Sequence, residues 1–225
     1  MRIKLPSRNR PRRYGTPRTR GWRALPWPRV ARAWVAAFLV TLMSSAVAQP
    51  AATQGPVDVV LLGDSITWAG KWESRFPGVR LVNRGVPGYK TANILNEMDA
   101  TIALRPKKAF LMIGINDLLG MAPVDQVYDG TIAIVRRLQA AGIPVVMLAT
   151  LECSRKSCVQ VVDWVRELDR KLEAFARAQN IPYIDLNPKI TDPDSGLLPA
   201  YTWDGLHLSE PAYVIWADAI RPYIR

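Results

Sequence analysis

The chain has 225 residues, of which 49% are hydrophobic, and a formal net charge of +11 at neutral pH. That length and apolar content suit one domain of ordinary size with a real core. The charge resembles a nucleic-acid signal, but its placement argues against one. Eleven Lys or Arg lie between Arg2 and Arg32 with no acid among them, and the remaining nineteen basic residues are matched by nineteen acidic ones. A neutral body gives no electrostatic footing for nucleic acid.

Residues 1–48 read as a targeting segment. The basic stretch leads into the apolar run Ala33–Met43 and then Ala46-Val47-Ala48, the order of a secretory signal peptide with an Ala-x-Ala site. Cleavage after Ala48 is expected, giving an exported, periplasmic or secreted, protein. The rival is an uncleaved membrane anchor, and membrane contact would then come only through this segment. Its apolar run of roughly 15 residues is short for spanning, which takes about 20. Arg12-Arg13 lies too far from the apolar run to make a good twin-arginine signal. Residues 49–56 form a small-residue linker.

Beyond the linker, strand and helix patterns alternate. Val57–Leu62 is a short, almost wholly apolar run, as expected of a strand buried on both faces. Val79–Asn83, Ala109–Ile113, Pro144–Thr150 and Pro182–Leu186 are further strands. Thr91–Leu104 has helical spacing through Ile94, Leu95, Met98 and Ile102. Val124–Ala141 does so through Val127, Ile132, Val135 and Leu138, with Gly142 as its cap. Val159–Gln179 carries Val162, Val165, Leu168, Leu172 and Phe175. Ser209–Arg225 opens with Ser-Glu-Pro, an N-cap followed by an early proline.

This alternation predicts an α/β fold, a single three-layer α/β/α domain whose five-stranded parallel sheet is doubly wound. Ligands bind such sheets beyond the carboxyl ends of the strands. Polar and glycine signals collect there: Ser65 after the first strand, Gly85 and Gly88 after the second, and Gly114-Ile115-Asn116-Asp117 after the third. His207 precedes the last helix.

Each signal has a plain structural alternative. Ser65 sits at a strand-to-helix turn, where it could attack a carbonyl or simply cap the helix. Asn116 could donate its amide N–H to an oxyanion or make an Asx-turn. Gly88 could present an unobstructed backbone N–H or serve turn geometry beside Pro87. His207 is the only histidine, so a serine needing an imidazole base has one choice. Asp204, three residues earlier, could hold that imidazole in one tautomer. The G-x-S-x-G elbow of α/β-hydrolases is absent. Cys153 and Cys158 could form a small loop-closing disulfide in an oxidising compartment or remain two free thiols. As a metal signal the pair is weak, and neither metal nor cofactor is expected.

Four blocks in order, Gly63-Asp64-Ser65-Ile66, Asn83-Arg84-Gly85-Val86-Pro87-Gly88, Gly114-Ile115-Asn116-Asp117 and Asp204-Gly205-Leu206-His207, resemble the GDSL/SGNH hydrolases, a family of esterases and lipases. The resemblance covers about residues 57–225 and implies a flavodoxin-like sheet. It implies Ser65 as nucleophile, His207 as general base and Asp204 as the residue that orients it. The implied oxyanion hole is the Ser65 and Gly88 N–H groups with the Asn116 amide. Ile66 stands where the family's name has Leu, and Tyr89 follows Gly88 where Asp is common. The implied reaction is hydrolysis of a carboxylic ester through an acyl-serine, the substrate being a small-molecule, glycan or lipid ester.

Two other functions fit parts of the pattern. A transferase would pass the acyl group to a glycan hydroxyl with the same three residues. A non-catalytic exported glycan- or lipid-binding protein would use the same scaffold without turnover. Trp68, Trp72, Tyr89 and Trp203 lie near the motifs as candidate contacts for sugar rings or acyl chains, with core packing the better reading for Trp72. No long apolar lid segment is evident, which favours a small acyl group such as acetyl. The sequence leaves the oligomeric state open.

Overall fold

The structure, a computed structural model, describes residues 57–224. The predicted targeting segment, its cleavage site and the linker lie outside the described residues. Strand β1 (Val59–Gly63) is buried along its whole length, as a central parallel strand covered on both faces must be. It lies between β2 (Leu81–Gly85) and β3 (Lys108–Met112), and β4 (Val145–Leu148) and β5 (Tyr183–Ile184) extend the sheet in the order β2-β1-β3-β4-β5. All four pairings are parallel. This is the doubly wound, flavodoxin-like order expected from the sequence.

The order decides where the helices go. The crossover from β1 to β2 carries α1 (Ser65–Trp68) and α2 (Trp72–Arg75). It runs opposite along the sheet to the later crossovers, which carry α3 (Thr91–Asn96), α4 (Met98–Ala103), α5 (Ile115–Leu119), α6 (Val124–Ala140) and α7 (Val161–Ala178). Right-handed connections therefore put the two groups on opposite faces. Helices α3, α4, α5, α6 and α7 pack against one another as a layer. On the other face α2 meets α9 (Glu210–Ile224), with the Trp72 and Trp216 rings edge-to-face at 4.8 Å and both fully buried. Between β5 and α9 lie α8 (Asn187–Ile190), a small hairpin of β6 (Thr191–Asp192) and β7 (Gly196–Leu197), and the 3-10 turn Pro199–Tyr201.

Helical spacing placed the buried faces of α6 and α7 correctly: Val127, Ile132, Val135 and Leu138 on one, Val162, Val165, Leu168 and Leu172 on the other, are all buried. Phe175 packs only partly buried against the core. Several expectations need correction, among them the second strand, which runs over Leu81–Gly85 in place of Val79–Asn83 and so includes Gly85. The helix predicted over Thr91–Leu104 is two, broken at Glu97 (φ −102°, ψ 8°), which both ends α3 and begins α4. The Glu97 carboxylate is drawn to the Arg84 guanidinium at 2.7 Å and to the Tyr89 hydroxyl, and the chain bends there. Ser209 does not cap α9 with its side chain as expected; its hydroxyl donates to the Ala200 carbonyl at 3.0 Å. Strand pairing is also narrower at β5 than the run Pro182–Leu186, because Asp185 turns its carboxylate back to the Asn187 N–H.

The strand order reverses at β1. The crevice at the carboxyl ends of β1 and β3 is therefore the topological switch point, where ligands bind in folds of this kind.

Candidate active site

Ser65 stands at that switch point, at the first position of α1. The Asp64 side chain caps the helix, its Oδ1 accepting from the Ile66 N–H at 2.9 Å. Capping thus falls to Asp64, and the Ser65 hydroxyl is left to face His207. Helix α1 is held from above by the Tyr213 hydroxyl of α9, which donates to the Ile66 carbonyl at 2.7 Å. Below it, the Trp72 indole N–H donates to the Thr67 carbonyl at 2.7 Å.

The Ser65 Oγ lies 3.0 Å from His207 Nε2, across 142 residues of sequence. His207 Nδ1 lies 2.6 Å from Asp204 Oδ2. An ionised carboxylate can only accept, so Nδ1 carries the proton and the Nε2 lone pair faces the serine hydroxyl. Asp204 holds more than the ring. Its Oδ1 accepts from the Leu206 N–H at 2.9 Å and the His207 N–H at 2.7 Å, so one side chain fixes both the loop and the imidazole. Partial burial works to raise the Asp204 carboxyl, but the hydrogen bonds from the His207 ring and from the two N–H groups outweigh it and hold the group below its ordinary value. Asp204 stays charged across the neutral range.

Thr202 completes this loop. Its Oγ1 accepts from the Gly205 N–H at 2.9 Å and donates to the His207 carbonyl at 2.7 Å. Sequence reasoning missed Thr202, whose only signal was a hydroxyl two residues before Asp204.

The Gly88 loop and Asn116 come together on the same edge. The Asn116 amide donates to the Tyr89 carbonyl at 3.0 Å, which joins the third block to the residue after Gly88. That bond uses one of the two amide N–H groups. Gly88 has φ +79° with open space where a Cβ would sit, a conformation that favours glycine. The Gly85 N–H, by contrast, is taken by Asn83 Oδ1 at 2.9 Å. Asp117, the last residue of the third block, is buried and accepts from both the N–H and the hydroxyl of Thr91. It locks α5 to the start of α3.

Asp64 is the unusual group. It is 1% exposed, and no donor among the described residues reaches its Oδ2 in hydrogen-bonding geometry. Burial pushes its carboxyl up to about 6, against weaker lowering by the Ile66 N–H and the His207 charge. Nothing in the sequence motif assigns Asp64 a role.

The four candidate aromatics separate. Trp72 is core. Tyr89 is half-buried and bonded to Glu97. Trp68 is 59% exposed and Trp203 72% exposed, the latter stacked on the His207 ring at 5.3 Å and 13°. A cavity of about 560 Å³ lies beside α7 and beyond β4 and β5, lined by Glu152, Arg166, Asp169 and Asp185 among others. None of Ser65, Asp204 or His207 lines it, and a reacting carbonyl has to sit at Ser65. No cluster of three or more His, Cys, Asp or Glu side chains suited to a metal ion occurs among the described residues.

Comparison with known proteins supplies a family and a fold. Residues 61–215 match the model of the GDSL-like lipase/acylhydrolase family. No curated protein sequence matches the chain. Among solved structures, a GDSL-like lipase from Bacteroides thetaiotaomicron aligns with TM-score 0.70 at 23% identity, over 75% of this chain and 87% of that one. A lipase/acylhydrolase from Enterococcus faecalis aligns with TM-score 0.63 at 21% identity, over 74% and 94%. An acetyl xylan esterase aligns with TM-score 0.63 at 20% identity, over 75% and 100%. At these identities the likeness shows a shared fold.

Proposed function

The chain belongs to the GDSL-like lipase/acylhydrolase family, and from that premise we propose that it is a serine esterase acting on carboxylic esters with a small acyl group. The observation that carries the reading is the unbroken relay from Ser65 Oγ to His207 Nε2 at 3.0 Å and from His207 Nδ1 to Asp204 Oδ2 at 2.6 Å. A hydroxyl is a poor nucleophile at neutral pH until a neighbouring base takes its proton. Here the only imidazole of the chain is oriented to do so.

In the proposed mechanism His207 Nε2 takes the Ser65 proton as Oγ attacks the ester carbonyl. The C=O pair moves onto oxygen, and the resulting oxyanion is stabilised by the Ser65 and Gly88 N–H groups and the Asn116 amide. The imidazolium, steadied by Asp204, returns its proton to the departing alkoxide, leaving an acyl-serine. Water, deprotonated by the same Nε2, attacks the acyl carbon. The acid leaves, and Ser65 recovers its proton.

Two features support a small acyl group on a polar or sugar alcohol. Among the described residues the reacting serine and histidine are part-exposed, and flat aromatic faces stand at Trp68 and Trp203. Tryptophan offers a large, rigid face of this sort at little conformational cost. We extend the proposal to an exported protein. The basic, apolar and Ala-x-Ala order of residues 1–48 supports this, as does a disulfide between Cys153 and Cys158.

The test is hydrolysis of a short-chain nitrophenyl ester by the wild type and by Ser65→Ala and His207→Ala. Turnover is expected in the wild type and lost in both variants with the fold intact. Full activity in either folded variant would overturn the assignment. Graded acyl lengths and acetylated sugars then locate the substrate.

A further inference from the structure

From the contacts around the Asp204–His207 turn we infer that the Cys153–Cys158 loop is a positioning device, a disulfide-closed clamp that holds the backbone of Asp204 and Gly205 so that the carboxylate meets His207. The inference rests on the triad reading above.

The turn is gripped from two sides. Thr202 holds the inside, as described. Outside, the carbonyls of Asp204 and Gly205 face the loop. The Ser154 N–H donates to the Gly205 carbonyl at 2.7 Å, and the Ser157 hydroxyl donates to the Asp204 carbonyl at 3.2 Å. The contact is close enough to require glycine. Gly205 has φ +90°, and a Cβ there would lie 2.2 Å from Ser157 Oγ and 3.2 Å from the Ser154 Cβ. The loop therefore touches the residue that carries the carboxylate and the one after it.

The two ends of the loop are anchored unequally. At one end Cys153 is fully buried, its carbonyl taking the Leu197 N–H at 3.2 Å. Arg155 donates its N–H to the Ser195 carbonyl at 2.9 Å and pairs through its guanidinium with Asp163 of α7 at 2.6 Å. At the other end Lys156 and Ser157 are exposed. The Ser157 and Cys158 N–H groups reach only back to the Ser154 carbonyl. Exposed hydrogen bonds of this kind open readily. The disulfide from Cys158 to buried Cys153 is the covalent link that keeps Ser157 under Asp204. Without it, the outer grip on the Asp204 carbonyl depends on the turn and on two bonds just beyond it, from the Val161 N–H to the Cys158 carbonyl at 3.1 Å and from the Arg155 guanidinium to the Val159 carbonyl at 3.4 Å, and small misplacements of a reacting group are costly in rate.

Three proteins test this: the oxidised wild type, the double variant C153A/C158A, and Ser157→Ala, which keeps the disulfide and removes the hydroxyl donor. The readouts are kcat and KM on a short-chain nitrophenyl ester, the thermal midpoint, and the downfield NMR signal of the imidazole Nδ1 proton. That signal needs no assignment, because His207 is the only histidine. The double variant is expected to lose about tenfold in kcat with KM within about twofold, and its Nδ1 signal should broaden or move upfield. Ser157→Ala should move the same way by about threefold, with its thermal midpoint near that of the wild type. A double variant with wild-type kcat and an unchanged Nδ1 signal, even if less heat-stable, would reduce the disulfide to a staple of the fold and overturn the inference. Should that variant not fold, Ser157→Ala decides on the same readouts. A wild type that shows no turnover would sink the esterase reading and leave the Nδ1 comparison, which reads the Asp204–His207 contact directly, still decisive for this one.

Discussion

Replacing Asp64 by Asn should change stability in a way that depends on pH, because the carboxylate is buried with one oxygen unserved. Its folded value is about 6 against an ordinary 3.8, so ionising it in the folded chain costs about 3 kcal/mol, at about 1.4 kcal/mol for each unit of that difference. The sign follows from which state releases its proton first. Below about pH 4 the group is protonated in both states and the cost is nil. As pH rises the unfolded chain ionises first, and stability falls until the folded carboxyl also ionises, above about pH 6. Asn cannot ionise and still accepts from the Ile66 N–H. Its amide N–H₂ lies where no acceptor waits, but the protonated wild-type carboxyl places an O–H in the same spot, so this penalty largely cancels at low pH. The variant should therefore be more stable than the wild type by about 2–3 kcal/mol at pH 7 and within about 1 kcal/mol of it near pH 4. Urea unfolding of both proteins at several pH values measures this, other titrating groups cancelling to first order in the difference. A stability difference that stays constant within about 0.5 kcal/mol across that range would refute the reasoning.

Other outcomes follow from single contacts. Asn116→Ala should lower turnover by about 10²–10³ through loss of one oxyanion donor, and a rate within about threefold of the wild type would remove Asn116 from that role. Asp204→Asn should cost roughly 10⁴ in kcat, since an amide N–H₂ facing the ring stabilises the wrong imidazole tautomer; stopped assays with concentrated enzyme would read it. Trp72→Ala deletes a fully buried ring, its contacts to Trp216 and Tyr213 and its hydrogen bond to Thr67. It should cost about 3–5 kcal/mol by denaturant unfolding.

Periodicity made the layers legible. The run Val57–Leu62 suits a strand covered on both faces, and the 3.6-residue spacing of α6 and α7 marks their buried faces. What escaped the pattern was decided by contacts distant in sequence. The break at Glu97 depends on Arg84 and Tyr89, and the freeing of Ser209 from capping depends on Ala200. Short elements such as α5, α8 and the β6–β7 hairpin are too brief to show a period at all. At the site, the order of the four blocks was visible but their convergence was not. A serine at 65 and a histidine at 207 meet only because β1 ends at the switch point and α9 packs back across α2. Ser157 stayed invisible for the same reason, its partner Asp204 lying far along the chain, whereas Thr202 bonds within its own turn and was missed because a lone hydroxyl carries no pattern.

The central claim, that Ser65 is made nucleophilic by His207, is tested most directly by covalent labelling. A fluorophosphonate probe should modify the folded wild type once, with the adduct mapped by peptide mass spectrometry to Ser65, and His207→Ala should slow that labelling by several orders of magnitude. A wild type that stays unlabelled while folded, or one labelled just as fast without the imidazole, would contradict it.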